Sequence, residues 1–397
     1  MSTSVATRRR RLRRRFRERS VMRAPSQASV VRTSCDQPRI LQHMKASDED
    51  SAPAPPAQRV EPQSTAARWF WRCCWCATVA AYVALLFSYA WPRDLRATGL
   101  WSSRIMLAAF LICTFRFHIG IAMLAPAAIA IVRRRWRLGV AAGALAVFLL
   151  VPTLMAFVPK SAPRPGGATF TITSANLLYT NRAPDELVAE LRAADADVLV
   201  LQEYTPRWHE AIHAALGERY SYQRHVLRTD AFGVAIYSRL PVEELRTDVS
   251  LGTIGSPQIR AVLRHDGRRF VLYDIHLMPP RGSRAFTEQR LGLADLIVHL
   301  REESGPLIVC GDFNFTADSE FAARIHALGL RDAHDLAGFG RGATWPVRRW
   351  WRYVPGLRLD HIYVSDAFAV TESRTGVGRG SDHRPVSATL GWASPAR

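Results

Sequence analysis

The second half of the chain places acidic, amide and imidazole side chains where short apolar runs begin or end. Side chains of these types bind hard divalent cations and transfer protons. Because each of them stands beside a predicted strand end, we expect them to meet at one edge of the sheets. The residues that carry this hypothesis are Asn176, Glu203, His276, Asp312, Asn314, Asp360, Asp382 and His383.

The elements that must position these side chains follow an alternating pattern. Strands are predicted at Thr169–Ser174, Asp197–Gln202, Phe232–Tyr237, Ile259–His265, Phe270–Ile275, Leu307–Cys310, Asp360–Val364 and Val386–Leu390. Helices are predicted at Asp185–Ala194, Arg207–Leu216, Phe286–Arg301 and Ser319–Leu328. Several strands are almost continuously apolar, which is typical of strands buried on both faces. The pattern alone therefore predicts a mixed α/β domain at residues 168–393, after a linker at residues 159–167.

The order of the short motifs is more specific than any one of them. The segments SAN, LQE, GVAIYSR, DIHL, GDFN, LDHI and SDHRPV follow one another between Ser174 and Val386. This series resembles the endonuclease/exonuclease/phosphatase (DNase-I-like) superfamily, and it spans nearly the whole C-terminal domain. The resemblance implies a four-layer α/β sandwich, in which two sheets face each other and helices cover them. It also implies metal-dependent hydrolysis of a phosphate ester.

The resemblance also implies a metal site. Glu203 would hold a divalent ion, with Asn176 as a neutral oxygen ligand or phosphate contact and Asp382 as a further carboxylate. Hard oxygen ligands favour Mg²⁺, and Mn²⁺ is the alternative. Leu178 stands where some relatives carry an acid, so one metal ion is expected rather than two.

The remaining residues would act on the substrate. Asp312 would orient or deprotonate the attacking water, and Asn314 would donate to the phosphoryl oxygens. Asp360 would fix the tautomer of His383 and support its charge. His276 would donate to the phosphate or protonate the leaving oxygen. Which of these groups is the general base stays open at this stage.

The net charge of +19 first indicates a nucleic-acid binder, but this charge is unevenly spread. From residue 161 onward the chain has 28 Arg and 27 Asp or Glu, a net charge of +1. Residues 1–160 therefore hold the remaining charge of +18. Residues 1–68 are poor in large apolar residues and are predicted to be a disordered basic cytoplasmic tail. Nucleic acid or anionic lipid is the alternative partner of this tail.

Residues 69–158 are predicted to be a membrane module of about three transmembrane helices. The spans are placed at Cys73–Trp91, Phe117–Val132 and Leu138–Val158, with Trp101–Phe115 as a dipping or interfacial piece. Arg133–Arg137 separates the last two spans and, like the basic tail, should stay cytoplasmic. The C-terminal domain is then expected outside the cytoplasm, on the periplasmic side of a cell (inner) membrane.

The substrate is left undecided by the sequence. Trp345, Arg348 and Arg349 stand in an aromatic and basic segment that could stack bases and bind backbone phosphates, or contact lipid headgroups. The expected function is that of a membrane-anchored, divalent-metal-dependent phosphoesterase of the phosphodiesterase or nuclease type, with its catalytic domain outside the cytoplasm. The alternatives are a phospholipid-headgroup or small organic phosphate phosphatase, and a membrane protein that binds a ligand without turning it over. The sequence gives no indication of oligomeric state.

Overall fold

The computed structural model describes residues 64–89, 94–97, 99–161, 163–347 and 353–394. The predicted basic tail lies outside the described residues up to residue 63. The described chain begins with four helices, and a C-terminal domain of strands and helices follows them.

Twelve strands of the described residues form the C-terminal domain. They are β1 (Pro165–Asn176), β2 (Val198–Gln202), β3 (Tyr222–Val226), β4 (Val234–Ser238), β5 (Val242–Leu251), β6 (Ser256–His265), β7 (Arg268–His276), β8 (Leu307–Asp312), β9 (Arg331–Asp332), β10 (Asp360–Val364), β11 (Phe368–Thr375) and β12 (Val386–Ala393). One sheet has the order β11-β12-β1-β2-β4-β3, and the other has the order β5-β6-β7-β8-β10-β9. Strand β1 begins inside the segment predicted as a linker.

The two sheets face each other across a buried apolar core. Phe170, Ile172 and Val200 of the first sheet pack in one cluster with Leu272 and Ile308 of the second. This packing explains the continuously apolar strands, since the outer face of each sheet is covered as well.

Helices cover both outer faces of the sandwich. Helices α5 (Asp185–Ala194) and α6 (Pro206–Leu216) pack on the first sheet. Helices α7 (Ser283–Glu302) and α8 (Glu320–His326) pack on the second sheet, and the short α9 (Ala333–Ala337) follows β9. The predicted four-layer α/β sandwich is thereby confirmed.

The N-terminal helices are α1 (Thr65–Tyr89), α2 (Leu100–Thr114), α3 (Arg116–Val132) and α4 (Trp136–Met155). Of the described helices, α1 and α4 are each long and apolar enough to cross a membrane. Helices α2 and α3 meet at a 65° bend and would count as a third, broken span. By length and composition this gives two or three spans, and the orientation in a membrane stays a prediction.

Helix α2 shares a core with the C-terminal domain. Met106 and Phe110 are buried against α7 and α8, and the ring of Phe110 lies 5.2 Å from that of Phe286 and 5.3 Å from that of Phe321. The fully buried Arg290 of α7 donates to the carbonyl of Ala97 at 3.0 Å. The N-terminal helices are therefore packed onto the domain through α2.

Candidate active site

The ends of five strands bring the predicted residues to one edge of the sandwich. In the parallel pair β1–β2, Asn176 is level with Gln202, so Glu203 follows directly beside it. In the parallel pair β7–β8, His276 is level with Asp312. Strand β10 runs antiparallel to β8 and begins with Asp360 opposite Asp312. The register of the strands therefore determines where these side chains meet.

Asn176 connects the two sheets at this edge. Its Nδ2 donates to Glu203 Oε1 at 3.0 Å and to Asp312 Oδ2 at 3.0 Å. Its Oδ1 accepts a hydrogen bond from the backbone of Leu178 at 3.0 Å. The amide nitrogen thus faces the carboxylates and orients them, and the role of Asn176 as a metal ligand stays a prediction.

Glu203 occupies a left-handed backbone position, with φ of 58°, directly after β2. Its Oε2 accepts from the backbone nitrogen of Tyr179 at 2.7 Å, so both of its oxygens are held by neutral donors. Burial raises the pKa of the Glu203 carboxyl, and the nearby charge of Asp382 raises it further. A cation between these two carboxylates would reverse this effect.

Asp360 and His383 form a buried pair. His383 Nδ1 lies 2.8 Å from Asp360 Oδ2, and both residues are buried. Burial lowers the pKa of the His383 imidazole, but the charges of Asp360 and Asp312 outweigh it and raise the pKa to about 10. His383 therefore carries a positive charge at neutral pH.

Asp312 lies at the centre of the site. Its Oδ2 is 3.6 Å from His276 Nε2 and 3.8 Å from His383 Nε2. Burial raises its pKa to about 6, although His383 opposes the shift. Burial lowers the pKa of the His276 imidazole, which favours its neutral form. The edge thus places two imidazoles, whose pKa values are shifted in opposite directions, around a single carboxylate.

Asn314 closes the turn after β8. It has a φ of 53°, and its backbone nitrogen donates to Asp312 Oδ1 at 2.9 Å. Its Nδ2 donates to the carbonyl of Leu277 at 2.9 Å. One amide hydrogen is therefore used within the protein, and the other is left for the predicted contact with a phosphoryl oxygen.

Asp382 and Trp345 lie together at the rim of the site. The indole Nε1 of Trp345 donates to Asp382 Oδ2 at 3.3 Å, which ties the predicted substrate-binding residue to a predicted metal ligand. Arg348 and Arg349 lie outside the described residues.

Two sets of residues in the described chain could hold a divalent ion. Ligand atoms of Asp312, Asp360 and His383 lie within 4.8 Å of one another. However, a protonated imidazole has no lone pair to donate, and Asp360 holds His383 in that form. Glu203 and Asp382 are carboxylates that form no ion pair with a basic side chain among the described residues. They fit a hard cation better, because the ion would supply their missing counter-charge.

Several residues that support the site carried no chemical signal in the sequence. Ser381 Oγ donates to the carbonyl of Asn176 at 2.8 Å and accepts from the backbone of His383 at 3.0 Å. His361 Nδ1 lies 2.6 Å from Asp332 Oδ2, and its Nε2 lies 2.9 Å from the carbonyl of Phe315. Only the position of Ser381 beside Asp382 in the SDH motif could have indicated its role.

A two-sheet sandwich with carboxylates, amides and histidines at the strand ends defines a class of phosphoesterase-type folds. The family model described as Endonuclease/Exonuclease/phosphatase matches residues 173–383, which include every predicted metal-binding and catalytic residue. The chain belongs to the Endonuclease/Exonuclease/phosphatase family, whose members are hydrolases acting on phosphate esters.

The chain is similar to curated bacterial proteins. It is 30% identical to a UPF0294 protein of Vibrio vulnificus over 131 residues, which are 32% of this chain and 42% of that protein. It thus spans about two fifths of the length of that relative. It is 26% identical to the uncharacterized protein YbhP of Escherichia coli over 230 residues, which are 52% of this chain and 87% of YbhP.

Among solved structures, the chain is similar to the 3′ phosphatase NExo from Neisseria bound to a product DNA hairpin. The TM-score is 0.46 at 23% identity, and the match covers 56% of this chain and 100% of that one.

Proposed function

We propose that this protein is a divalent-metal-dependent phosphoesterase that its N-terminal helices hold in a membrane. The observation that carries the proposal is the position of Asp312. Its Oδ2 lies within 4 Å of the imidazoles of His276 and His383 and is linked to Glu203 through the amide group of Asn176.

The metal-binding part of the proposal uses Glu203 and Asp382, with Asn176 orienting Glu203. A bound Mg²⁺ or Mn²⁺ would supply positive charge against the negative charge that builds on the phosphate during hydrolysis. The side-chain amide of Asn176 and the backbone nitrogen of Tyr179 keep Glu203 in one orientation, and Trp345 does so for Asp382. These contacts hold both carboxylates in place before an ion arrives.

The protein's own groups would then move the protons. Asp312 Oδ2 orients the attacking water and accepts its proton, since the Asp312 pKa of about 6 is close to neutral. The Nε2–H group of His383, kept charged by Asp360, donates to a phosphoryl oxygen. The Nε2–H group of His276 donates a hydrogen bond to the phosphate or to the leaving oxygen, and the second amide hydrogen of Asn314 donates a hydrogen bond to the phosphoryl group.

The membrane part of the proposal rests on the surfaces of the helices. Large apolar side chains of α1, α3 and α4 face outward, for example Leu86 at 70% exposure, Val132 at 78% and Val140 at 67%. A surface of this kind is stable in lipid and unfavourable in water. With Arg133–Arg137 on the cytoplasmic side, the C-terminal domain would lie outside the cytoplasm.

The test uses the purified full chain in detergent micelles with Mg²⁺, Mn²⁺ or EDTA. The substrates are bis-p-nitrophenyl phosphate, single-stranded and duplex DNA, RNA, and phospholipids. We expect metal-dependent hydrolysis that falls by more than about a hundredfold in Asp312→Asn, because this change removes the proton acceptor. Wild-type turnover in that variant would refute the mechanism.

The substrate preferred in this panel decides between a nuclease and a phosphatase of lipid headgroups or small organic phosphates. Ligand capture without hydrolysis of any substrate would favour the binding-protein alternative. The side of the membrane is tested separately, with a reporter after Arg397 that is active only outside the cytoplasm.

A further inference from the structure

A cavity of about 370 Å³ lies between the N-terminal helices and the C-terminal domain. Its helix side includes Phe117 at the start of α3 and Pro152 and Met155 at the end of α4. Its domain side includes Thr316, Arg341 and Arg358. We call it the helix–domain cavity. None of the proposed catalytic or metal-binding residues lines it, so it is separate from the candidate active site.

Polar contacts hold the two sides of the helix–domain cavity together. The backbone of Gly340 donates to the carbonyl of Ala156 at 2.8 Å. His118 Nε2 lies 2.6 Å from the carbonyl oxygen of Pro355. Arg116 Nη1 lies 3.7 Å from Asp318 Oδ1. These contacts link α3 and α4 to the loops of the domain, so the cavity lies at a hydrogen-bonded interface.

Positive charge exceeds negative charge around this cavity. The basic groups in and beside it are Arg116, Lys160, Arg341 and Arg358, and the acidic groups are Asp318, Asp332 and Asp335. Arg358 is neutralised by Asp332 at 3.2 Å and by Asp335 at 2.6 Å. Among the residues that the structure describes, four cations against three carboxylates leave one positive charge unbalanced.

Two of the cations form no ion pair with any described residue. Arg341 donates to the carbonyl of Gly356 at 2.8 Å, and its guanidinium lies 3.8 Å from the centre of the Phe117 ring. Lys160 Nζ donates to the carbonyl of His334 at 2.8 Å. Burial lowers the pKa of both groups, and the nearby carboxylates, Asp318 for Arg341 and Asp335 for Lys160, offset the lowering only in part. An anion in the cavity would remove this penalty.

We propose that the helix–domain cavity binds the phosphate headgroup of an anionic membrane phospholipid, at a site separate from the catalytic one. Arg341 and Lys160 would bind the phosphate. The acyl chains would leave along the end of α4, where Leu154, Met155 and Phe157 are 59%, 58% and 47% exposed. Helix ends of a membrane module lie at headgroup depth, so this assignment rests on the membrane anchoring proposed above.

The proposed lipid site adjoins the catalytic loops. Thr316 follows Asn314 closely in the loop after β8, and Arg358 shortly precedes Asp360 at the start of β10. A bound headgroup would therefore restrain the segments that carry Asp312 and Asp360. Anionic lipid should accordingly raise the activity of the enzyme without itself being hydrolysed.

The test measures lipid binding by the full chain, without added metal, by native mass spectrometry from detergent micelles. Palmitoyl-oleoyl phosphatidylglycerol is the probe, phosphatidylcholine is the zwitterionic comparison, and inorganic phosphate is the competitor. We expect phosphatidylglycerol to bind more tightly than phosphatidylcholine. Arg341→Gln and Lys160→Gln should each weaken its binding about tenfold, because each removes a charge-assisted hydrogen bond. Lys160→Gln changes only the end of a half-buried side chain, so it keeps the test valid if Arg341→Gln fails to fold.

Two control variants locate the lipid. Arg268→Gln removes another guanidinium stacked on an aromatic ring, 4.0 Å from the centre of Trp392 and away from the cavity, and should leave binding unchanged. Asp312→Asn should also leave it unchanged. Equal affinity in the wild type, Arg341→Gln and Lys160→Gln would overturn the proposal. Loss of binding in Asp312→Asn would do so too, because the lipid would then occupy the catalytic site.

Competition with inorganic phosphate tests whether the cavity binds a lipid headgroup or a free phosphate ion. Failure of millimolar phosphate to displace phosphatidylglycerol supports a lipid site, and displacement at equal concentration would overturn it in favour of free phosphate. Because binding is measured directly, absence of hydrolysis would count against the proposed function and leave this result unaffected.

Discussion

His383 Nδ1 lies 2.8 Å from Asp360 Oδ2, while its Nε2 points towards Asp312 Oδ2 at 3.8 Å. One carboxylate thus fixes the ring, and the opposite nitrogen faces the centre of the site. The other oxygen of Asp360 is buried and has no hydrogen-bond partner among the described residues. The charge of Asp360 is therefore directed mainly at His383.

Removing this charge should alter both activity and the pKa of His383. In Asp360→Asn we expect hydrolysis to fall by about a hundredfold or more, since His383 would no longer be held as a charged donor. Histidine NMR should show the His383 pKa falling from about 10 towards the ordinary value of about 6.5. An unchanged His383 titration in Asp360→Asn would contradict the assignment of this pair.

The amide of Asn176 should control metal affinity. Asn176→Ala leaves Glu203 and Asp312 without their shared donor, so the metal-binding carboxylate loses its orientation. Residues that orient ligands in this way typically contribute about 10- to 100-fold to metal affinity. We expect the Mg²⁺ concentration for half-maximal activity to rise by that factor.

Asn181→Ala is the matched control for this prediction. Asn181 is also buried, and its Oδ1 accepts a hydrogen bond from the backbone nitrogen of Ala183 at 2.9 Å, outside the site. An equal change of Mg²⁺ dependence in both variants would indicate a general loss of structure in place of a specific role for Asn176.

Asp332 should make the stability of the protein depend on pH. Burial alone would raise the pKa of Asp332, but Arg358 and His361 hold it well below its usual range. A carboxyl with a lowered folded-state pKa stabilises the fold above its unfolded pKa of about 3.9, and this contribution is lost as the pH falls towards the folded value. Asp332→Asn should cost about 3–5 kcal/mol at pH 7, as expected when one partner of a buried ion pair is removed.

The measurement is thermal unfolding in micelles at pH 7 and at pH 3. The difference between the wild type and Asp332→Asn should shrink at the lower pH, and a constant difference would refute the role of the charge. Asp335→Asn is the matched control, since Asp335 pairs with the same Arg358 but is half exposed. It should cost less than about 1 kcal/mol.

The core shared by α2 and the C-terminal domain predicts that the domain depends on the N-terminal helices. Phe110→Ala should destabilise the protein by about 3–5 kcal/mol, because it leaves a cavity between Phe286 and Phe321. Phe70→Ala is the control, since Phe70 is 45% exposed on α1. Equal unfolding temperatures of the two variants would show that α2 does not stabilise the domain.

The strands that the sequence failed to predict share one property. All four, β3, β5, β9 and β11, are the outer strands of the two sheets. Edge strands are paired on one side only and carry polar or charged residues, such as Glu243 and Arg246 in β5, so their apolar signal is weak. The eight inner strands are buried on both faces, and the sequence predicted each of them.

The sequence also indicated the residues of the site but not their orientation. The order of the motifs, from Asn176 to His383, located the edge at which they meet. The backbone nitrogen of Leu178 binds the Asn176 amide oxygen, so the amide nitrogen faces the carboxylates. This contact forms only in the folded turn and could not be predicted. Likewise, His361 contacts the carboxylate of Asp332 and the carbonyl oxygen of Phe315, so these contacts join three separate segments of the chain.

The amino-acid sequence by itself determined the apolar inner strands, the chemical types at their ends and the apolar N-terminal helices, because these are local properties of composition and spacing. The tertiary structure alone decided that α2 joins the core of the domain, and that Arg341 and Lys160 face a cavity in which neither forms an ion pair with a described residue. It also decided that nearby carboxylates raise the pKa of His383, while burial lowers the pKa of His276. These features depend on burial and on the distances between charges far apart in the chain, which are set only when the two sheets and the helices pack together.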